Sequence, residues 1–251
     1  MARKETSRPT VFWPMAWICF GLLGGSVKFR VAHPERIPAQ GAYVIAPNHY
    51  SEIDPVIVGM MLYRAGRIPS FLAKASLFKV PIVGWFLRRS GQVPVERTAV
   101  AAAHAPSPFA GARSLVEKQR IVVVYPEGTL TREPDMWPMR GKTGAARIAL
   151  EQGIPVIPVA HWGTQALMAR YGKKVNLFRR HPIDFAIGEP VDLSEFEGKP
   201  IDQHLLAAAT EKIMAAITQQ LETLRGEKAP AGRWDPARQG QAETGRYHER
   251  G

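Results

Sequence analysis

The stretch "AYVIAPNHYSEIDPVIVGMMLYRAG", residues 42–66, contains in one run the signals that decide the fold. "AYVIAP" (42–47) is an apolar run typical of a buried strand, and "PVIVGMMLYRAG" (55–66) has the pattern of a helix. The polar loop "NHYSEIDP" (48–55) joins them. A buried strand followed directly by a helix is the repeating unit of an α/β sheet, which is mostly parallel.

The same alternation continues along the chain. Further strands are predicted over 69–74, 92–97, 120–128, 154–162 and 181–193, and further helices over 81–91, 142–153 and 202–224. The clearest strand is "RIVVVYPEG" (120–128), because it has four successive β-favouring apolar residues. We therefore predict a single α/β domain over residues 28–225, in which helices flank a mostly parallel central sheet.

The amino-terminal segment, residues 1–27, is predicted to associate with a membrane. No charged residue lies between positions 9 and 27, and this run just reaches the roughly 20 residues that a spanning helix needs. Pro14 and three glycines weaken it as a helix, whereas Trp13 and Trp17 suit the bilayer interface. We expect a helix that lies in or dips into the membrane. A spanning helix and a helix packed on the domain are the alternatives.

The carboxyl-terminal tail, residues 226–251, has a different composition. It is rich in glycine, proline and charged residues and has almost no aliphatic side chains. Such a segment buries too little apolar surface to offset the entropy of ordering, so disorder is expected. Its charges nearly cancel, which leaves the excess positive charge in the folded part.

Composition restricts the possible partners. The formal net charge of +11 and the pI of about 10.0 favour an anionic partner, such as a membrane surface or a phosphorylated substrate. Nucleic acid is a weak alternative, because no nucleic-acid-binding motif accompanies the charge. The single cysteine, Cys19, excludes an internal disulfide and a cysteine-rich zinc site and fits a cytoplasmic setting. No cluster has metal-ligand spacing, so no metal is expected.

The positive charge is concentrated in two runs. Residues 55–95 contain six arginines and lysines and no acidic residue, and residues 152–183 contain five, again with none. Charge runs are usually solvated surfaces. In the first run, however, apolar residues stand between the cations, as in "LFKVPIVGWFLRR" (77–89), and this mixture suits an anionic membrane. We therefore expect membrane contact through the first run.

His49 and Asp54 follow the strand that opens this section. Side chains at the carboxyl end of a strand face the site crevice of an α/β sheet, and a short loop could bring the carboxylate back to the imidazole. Asp54 would then hold one ring nitrogen and leave the other free as a base. Taken alone, such a pair is more often a cap and turn. No G-x-S-x-G nucleophile motif accompanies it, so the hydroxyl would come from a substrate.

A second polar segment, "YPEGTLTR" (125–132), leaves the clearest strand at a Pro-Glu-Gly turn. Gly128 lets a ligand approach the backbone closely, and Thr129 offers a hydroxyl. Arg132 and Lys142 supply positive charge nearby. Alone, this could be an ordinary turn at the end of a strand.

Together the segments resemble the glycerolipid acyltransferase family. The first motif of that family, N-H-x-x-x-x-D, stands here as "NHYSEID" (48–54), and "GQVPVER" (91–97) is similar to the second motif. The third motif, F-P-E-G-T-R-S, is matched by "YPEGTLT" (125–131), and "IPVIPVA" (154–160) is similar to the fourth. The four motifs occur in order across roughly residues 28–195, which makes the resemblance specific.

The resemblance implies a mechanism. His49 would be the general base and Asp54 would orient it. The acceptor hydroxyl would lose its proton to His49 and attack the acyl thioester directly, without an acyl-enzyme. This would explain the missing nucleophile.

The resemblance also implies a substrate site. Arg97, Glu127 and Gly128 would bind the phosphate and glycerol of the acceptor. Glu127 would orient a basic group or accept a glycerol hydroxyl, and Pro158 would line the acyl or donor side. The complete set of expected substrate-binding residues is Asn48, Lys74, Arg97, Glu127, Gly128, Thr129, Arg132, Lys142 and Pro158.

One departure affects the phosphate site. Leu130 stands where the third motif usually has arginine, so Arg132, Arg140 or Lys142 would have to replace that charge. Lys142 could act together with the amides at the start of the following helix. His161 follows a buried strand, but it is expected to be a satisfied core histidine.

The expected function is transfer of a fatty acyl chain from acyl-CoA or acyl carrier protein to 1-acylglycerol 3-phosphate, at the cytoplasmic face of the membrane and without a cofactor. Glycerol 3-phosphate or another lysophospholipid is the alternative acceptor. A hydrolase in which His49 activates water, and an inactive membrane-binding module, are the alternatives from other classes.

Overall fold

The protein forms a seven-stranded sheet in a computed structural model that describes residues 5–7, 12–95 and 110–242. The strands are β1 (Val27–Ala32), β2 (Val44–Pro47), β3 (Pro69–Lys74), β4 (Val93–Val95), β5 (Ile121–Val123), β6 (Val156–Trp162) and β7 (His181–Ile187). Their order across the sheet is β1-β7-β6-β2-β5-β3-β4. Strand β2, which leads into the His49 loop, therefore lies at the centre.

The sheet is mostly parallel, as predicted. Strands β6, β2, β5, β3 and β4 run in one direction, and β1 and β7 are parallel to each other but antiparallel to β6. The carboxyl ends of these five parallel strands therefore share one edge with the amino ends of β7 and β1. Polar loops that follow β2, β5 and β6 meet at this edge.

Helices cover both faces of the sheet. They are α1 (Phe12–Leu23), α2 (Asp54–Arg64), α3 (Pro81–Arg89), α4 (Ala110–Glu117), α5 (Gly144–Gln152), α6 (Thr164–Leu167) and α7 (Gln203–Arg225). One apolar layer joins α4, α5 and α7 to the face that carries Val44 and Ala46. The other joins α1 and α2 to the face that carries Ile45. The alternation of neighbouring β2 residues between two buried layers explains why the strand is apolar throughout.

Strand β1 was not predicted from the sequence. Its residues alternate between inward and outward positions, and its partner β7 lies 154 residues further along the chain at the Arg30–Asp184 contact. Because the strand lies at an edge, half of its side chains stay in solvent, and polar residues occupy these positions. The strand therefore lacks the continuous apolar run by which the other strands were recognised in the sequence.

Part of the tail is ordered, which corrects the expectation of disorder for residues 226–242. The backbone N–H of Arg140 donates to the Trp234 carbonyl at 2.8 Å, and its guanidinium pairs with Asp235 at 3.3 Å. Arg233 pairs with Glu211 of α7 at 3.2 Å. The nearly balanced charges of the tail therefore bind opposite charges of the domain. Residues 243–251 lie outside the described part of the chain.

Helix α1 packs on the domain along one side only. Cys19, Phe20 and Leu23 contact the α2 layer, whereas Trp17 and Leu22 are 78% and 65% exposed. Among residues 5–7, 12–95 and 110–242, no helix combines the length and the apolar character that crossing a bilayer requires.

Candidate active site

His49 and Asp54 form a hydrogen-bonded pair at the carboxyl end of β2. Asp54 is the first residue of α2, so the loop between strand and helix folds its carboxylate back to the imidazole. Nδ1 of His49 lies 3.0 Å from Oδ2 of Asp54. Because an ionised carboxylate only accepts, Nδ1 carries the proton and Nε2 is left with a lone pair. The pairing that the spacing suggested is therefore present.

Several donors fix the Asp54 carboxylate. Oδ2 also accepts the backbone N–H groups of Tyr50 and Ser51, each at 2.8 Å, and Oδ1 accepts the Thr164 hydroxyl at 2.5 Å. The side chain is fully buried. Burial alone would raise the pKa of Asp54, but the neighbouring histidines and the Thr164 hydroxyl lower it below the ordinary value. The carboxylate is therefore ionised at neutral pH.

Glu127 holds the loop from behind, which differs from the predicted contact with substrate. Its Oε1 accepts the backbone N–H of His49 at 2.9 Å, and its Oε2 accepts that of Met139 at 3.0 Å. Burial raises the pKa of Glu127 to about 8, although these backbone bonds act in the opposite direction. Both oxygens are engaged within the protein, so the glutamate positions the His49 backbone.

Asn48 ties β2 to β6 rather than pointing at a substrate. Its amide donates to the His161 carbonyl at 3.1 Å and accepts the His161 backbone N–H at 2.9 Å. The His161 Nε2–H in turn donates to the Asn48 carbonyl at 2.9 Å. His161 is fully buried, and burial lowers its pKa, so it is a neutral core histidine. It differs from the expected satisfied histidine at Nδ1, which is buried without a hydrogen-bond partner among the described residues.

An apolar cavity of about 540 Å³ opens beside His49. Its walls come from α1, α2, β3, the following turn and α3, and they include Phe20, Gly59, Phe71 and Phe86. Tyr125 lines it next to His49, and the two ring centroids lie 4.1 Å apart. The cavity falls in the size range of small-molecule sites. Its lining suits a hydrocarbon chain.

The predicted cations occupy different positions around the turn after β5. Gly128 has φ of 71°, and a Cβ there would lie 3.0 Å from the Lys142 side chain, so Lys142 lies across the turn and its side chain is exposed. Arg132 is 4% exposed and lies near Tyr171. Burial raises the pKa of Tyr171, and the charges of Arg132 and Arg170 oppose this shift without reversing it. Lys142 is thus the cation at the surface of the turn. Thr129 is half-buried beside it.

Within the described part of the chain, none of the nine predicted substrate-binding residues lines this cavity. Pro158 pairs with Ala46 and lines a groove with Arg36 and Lys212. Since neighbouring side chains of a strand point to opposite faces, Pro158 lies on the α7 face and the cavity on the other. The predicted role of Pro158 in the wall of this cavity is therefore wrong. Lys74 ends β3, but its side chain lies outside the described part, as does the whole of Arg97.

The sequence analysis missed Thr164, which donates to Asp54. Gly163 precedes it with φ of 112°, and a Cβ there would lie 2.3 Å from the Pro182 carbonyl oxygen, so only glycine fits. This turn starts α6 and directs the hydroxyl towards Asp54. A Gly-Thr pair directly after β6, the neighbour of β2, was the available signal.

The fold and the His–Asp site are those of an acyl-transferring enzyme, and comparison supports this class. Residues 28–162, just over half of the chain, match the family model described as Acyltransferase. The protein belongs to the acyltransferase family and is an O-acyltransferase. The resemblance to glycerolipid acyltransferases is confirmed.

Three relatives are similar to this chain over most of its length. The 1-acyl-sn-glycerol-3-phosphate acyltransferase of Bacillus subtilis (strain 168) is 31% identical over 208 residues, which cover 82% of this chain and 91% of that protein. The Escherichia coli (strain K12) protein of the same name is 26% identical over 211 residues, which cover 82% of this chain and 79% of that protein. The crystal structure of PlsC, the 1-acyl-sn-glycerophosphate (LPA) acyltransferase of Thermotoga maritima, matches with a TM-score of 0.58 and 25% sequence identity. The match covers 81% of this chain and 75% of the PlsC chain.

Proposed function

We propose that the protein transfers a fatty acyl chain from acyl-CoA or acyl carrier protein to the free hydroxyl of 1-acylglycerol 3-phosphate. The product would be phosphatidic acid, a precursor in phospholipid biosynthesis. The observation that carries the proposal is the His49–Asp54 pair at the wall of a 540 Å³ apolar cavity. A base beside a hydrocarbon site fits acyl transfer, and the names of the relatives support the acceptor.

His49 acts as the general base in this proposal. Asp54 holds the proton on Nδ1, so Nε2 accepts the proton of the acceptor hydroxyl. The oxygen attacks the thioester carbonyl carbon and forms a new C–O bond. The C–S bond then breaks, and the thiolate takes the proton back from His49. Asp54 stays ionised throughout and stabilises the imidazolium.

Lys142 and the start of α5 are proposed to bind the phosphate of the acceptor. Lys142 lies across the Gly128 turn, and α5 begins at Gly144, two residues later. The free amides of a helix amino terminus and a nearby ammonium attract an anion together. Arg97, from the second motif, is proposed to add a further positive charge. Leu130 is buried and uncharged, so it adds no positive charge at this motif position.

The enzyme is proposed to act as a peripheral protein at the cytoplasmic face of the membrane. Lysophosphatidate and phosphatidate are poorly soluble, so the cavity must open towards lipid. Helix α1 forms part of its wall and also exposes Trp17 and Leu22 on the other side. Aromatic and leucine side chains of this kind settle in the bilayer interface.

An assay with labelled acyl-CoA and a panel of lysolipids, with products identified by mass spectrometry, tests the function. We expect labelled phosphatidate from 1-acylglycerol 3-phosphate and none from the His49→Ala variant. Preferential acylation of glycerol 3-phosphate or of another lysolipid would show that this compound, and not 1-acylglycerol 3-phosphate, is the acceptor. Free fatty acid without a new diacyl lipid would reveal a hydrolase. Repeating the assay with acyl carrier protein identifies the donor.

A further inference from the structure

A basic loop with an exposed aromatic residue lies between α6 and β7. We name the segment 173–180 the basic loop. Phe178 at its tip is 99% exposed, and Leu177 is 44% exposed. Four exposed cations flank them, namely Lys173, Lys174, Arg179 and Arg180. No ion pair joins these four cations to any acidic residue in the described part of the chain.

Hydrogen bonds hold the basic loop in this shape. The Asn176 backbone N–H donates to the Leu167 carbonyl at 2.8 Å, and the Asn176 carbonyl lies 3.0 Å from Nε2 of His181. The Ser26 hydroxyl donates to the Leu177 carbonyl at 2.8 Å, which ties the loop to the turn after α1. The neighbours of Phe178 are thus anchored on the domain, and the fold itself places the phenyl ring in solvent.

The basic loop lies on the active-site edge of the sheet. It joins the carboxyl end of β6 to the amino end of β7, and His49 follows the carboxyl end of β2. Strand β2 is two strands from β7 and two strands from β3, whose carboxyl end leads to α3. With neighbouring strands about 4.8 Å apart, the loop and the start of α3 lie roughly 10 Å to either side of β2.

Helix α3 presents the same combination of side chains. Ile82 is 82% exposed and Trp85 is 56% exposed. Arg88 and Arg89 lie in its last turn, and no acidic residue occurs between positions 55 and 95. Two surfaces that each combine exposed apolar side chains with unbalanced positive charge therefore stand on opposite sides of His49.

We propose that the basic loop is a docking element for an anionic bilayer and that it works as the counterpart of α3. Phe178 enters the interface, as aromatic side chains do, and the four cations meet anionic headgroups. Contacts on both sides of β2 hold the active-site edge against the lipid. The purpose of this arrangement rests on the proposed lysolipid acceptor, but the docking itself is independent of it.

Vesicle binding by the full-length protein tests the contribution of the cations of the basic loop. The probes are vesicles of phosphatidylcholine with and without phosphatidylglycerol, and no acyl donor or acceptor is present. The K173A/K174A variant should bind the anionic vesicles about 30-fold more weakly, which corresponds to ~1 kcal/mol for each cation. The difference should shrink as salt is added, because the Debye length falls to about 3 Å at 1 M.

The Phe178→Ala variant tests the contribution of the exposed phenyl ring to vesicle binding. We expect its affinity to fall about tenfold for both kinds of vesicle, since the phenyl ring loses its burial whatever the headgroup charge. The matched controls are Lys199→Ala and Ile201→Ala. Both residues precede α7, a helix about 35 Å long whose other end, Arg225, lies over Trp162 at the active-site edge. They are thus exposed at the opposite edge and should not change binding.

Equal vesicle affinity for the wild type and for both basic-loop variants, with melting temperatures showing that all are folded, would overturn the assignment. If these variants in addition lost activity only when acyl carrier protein is the donor, the loop would be a site for that protein instead. Because the binding assay contains no substrate, failure of the proposed acyl transfer would leave its outcome unaffected.

Discussion

His49 separates two regions that are built in opposite ways. Behind the imidazole, Asp54, Glu127 and Thr164 are buried. Asp54 is hydrogen-bonded to the His49 ring and to Thr164, and Glu127 to the His49 backbone, at distances of 2.5–3.0 Å. In front of it, the cavity of about 540 Å³ is lined mainly by apolar side chains. The polar region is complete before any substrate arrives, whereas the apolar region provides space. This difference predicts that changes behind the ring alter turnover and stability, and that changes in front alter the choice of substrate.

Removal of the proposed base, His49, should have the largest effect. His49→Ala should lower kcat by roughly 100- to 10,000-fold, which is the usual contribution of general acid–base catalysis. Steady-state kinetics and a thermal melt measure the two quantities. His33→Asn is the control, because His33 is an exposed histidine whose left-handed backbone asparagine tolerates. A folded His49→Ala protein with nearly normal turnover would reject the mechanism.

The Glu127 carboxyl should give the protein a measurable pH dependence of stability. Its pKa rises from 4.5 in the unfolded chain to about 8 in the fold. Between these values the folded state holds a proton that the unfolded state has lost, so the free energy of unfolding falls as pH increases. The loss should reach about 4–5 kcal/mol near pH 8, at 1.36 kcal/mol for each pH unit.

Glu127→Gln separates this titration from the hydrogen bonds. Glutamine does not titrate, so the decline between pH 5 and 8 should disappear from urea unfolding curves. An amide has one accepting oxygen, however, and cannot accept both the His49 and the Met139 N–H groups. The variant should therefore also lose about 1–3 kcal/mol of stability at pH 5. A parallel decline in both proteins would place the titrating group elsewhere.

Thr164→Val should have a smaller effect on catalysis. Valine keeps the shape but removes the hydroxyl that donates to Asp54, so we expect a loss of about 1.5–3 kcal/mol in stability and roughly tenfold in kcat. The KM for acyl-CoA should stay unchanged, because Thr164 positions the carboxylate and does not line the cavity. Thr164→Ser should restore turnover. Full activity in the valine variant would show that the remaining donors to Asp54 suffice.

A change in front of His49 should affect selectivity most and turnover least. Gly59 of α2 lines the cavity, and a Cβ there would lie 3.6 Å from Phe71, an ordinary contact distance. Gly59→Ala should therefore be tolerated. Gly59→Leu should lower kcat/KM for long-chain substrates severalfold more than for short-chain ones, because leucine takes the space of about three methylene groups.

Separate series of acyl-CoA and lysophosphatidate lengths show which chain occupies the cavity. Equal losses at every length would mean that leucine disturbs the fold of α2 rather than filling the site. The glycine-to-alanine variant provides the reference, since it changes the backbone propensity and adds only one methyl group to the cavity wall.

Local patterns in the sequence predicted much of the fold and part of the site. The run of four β-favouring residues marks β5, and the short loop between β2 and α2 predicted the contact of His49 with Asp54. These features depend on neighbouring residues. The same is true of the boundaries of β3, which agree with the predicted range.

Features that depend on distant residues were not predictable in this way. Strand β1 takes its place through β7, and Thr164 reaches Asp54 across 110 positions. The motif glutamate, Glu127, looked available for a substrate because nothing in the sequence shows that the His49 and Met139 amides converge on it. The face of Pro158 likewise depends on the register between β2 and β6.

The late pairing of β1 has a consequence for biosynthesis. Arg30 must wait for Asp184, 154 residues later, and at 5–20 residues per second the ribosome needs roughly 8–30 s to make that length. Helix α1 leaves the ribosome ahead of β1 and is apolar on several sides during this interval. We expect nascent chains arrested before residue 181 to float with vesicles while still attached to ribosomes. Such a result would mean that the chain binds a bilayer while it is being made, before the sheet is closed.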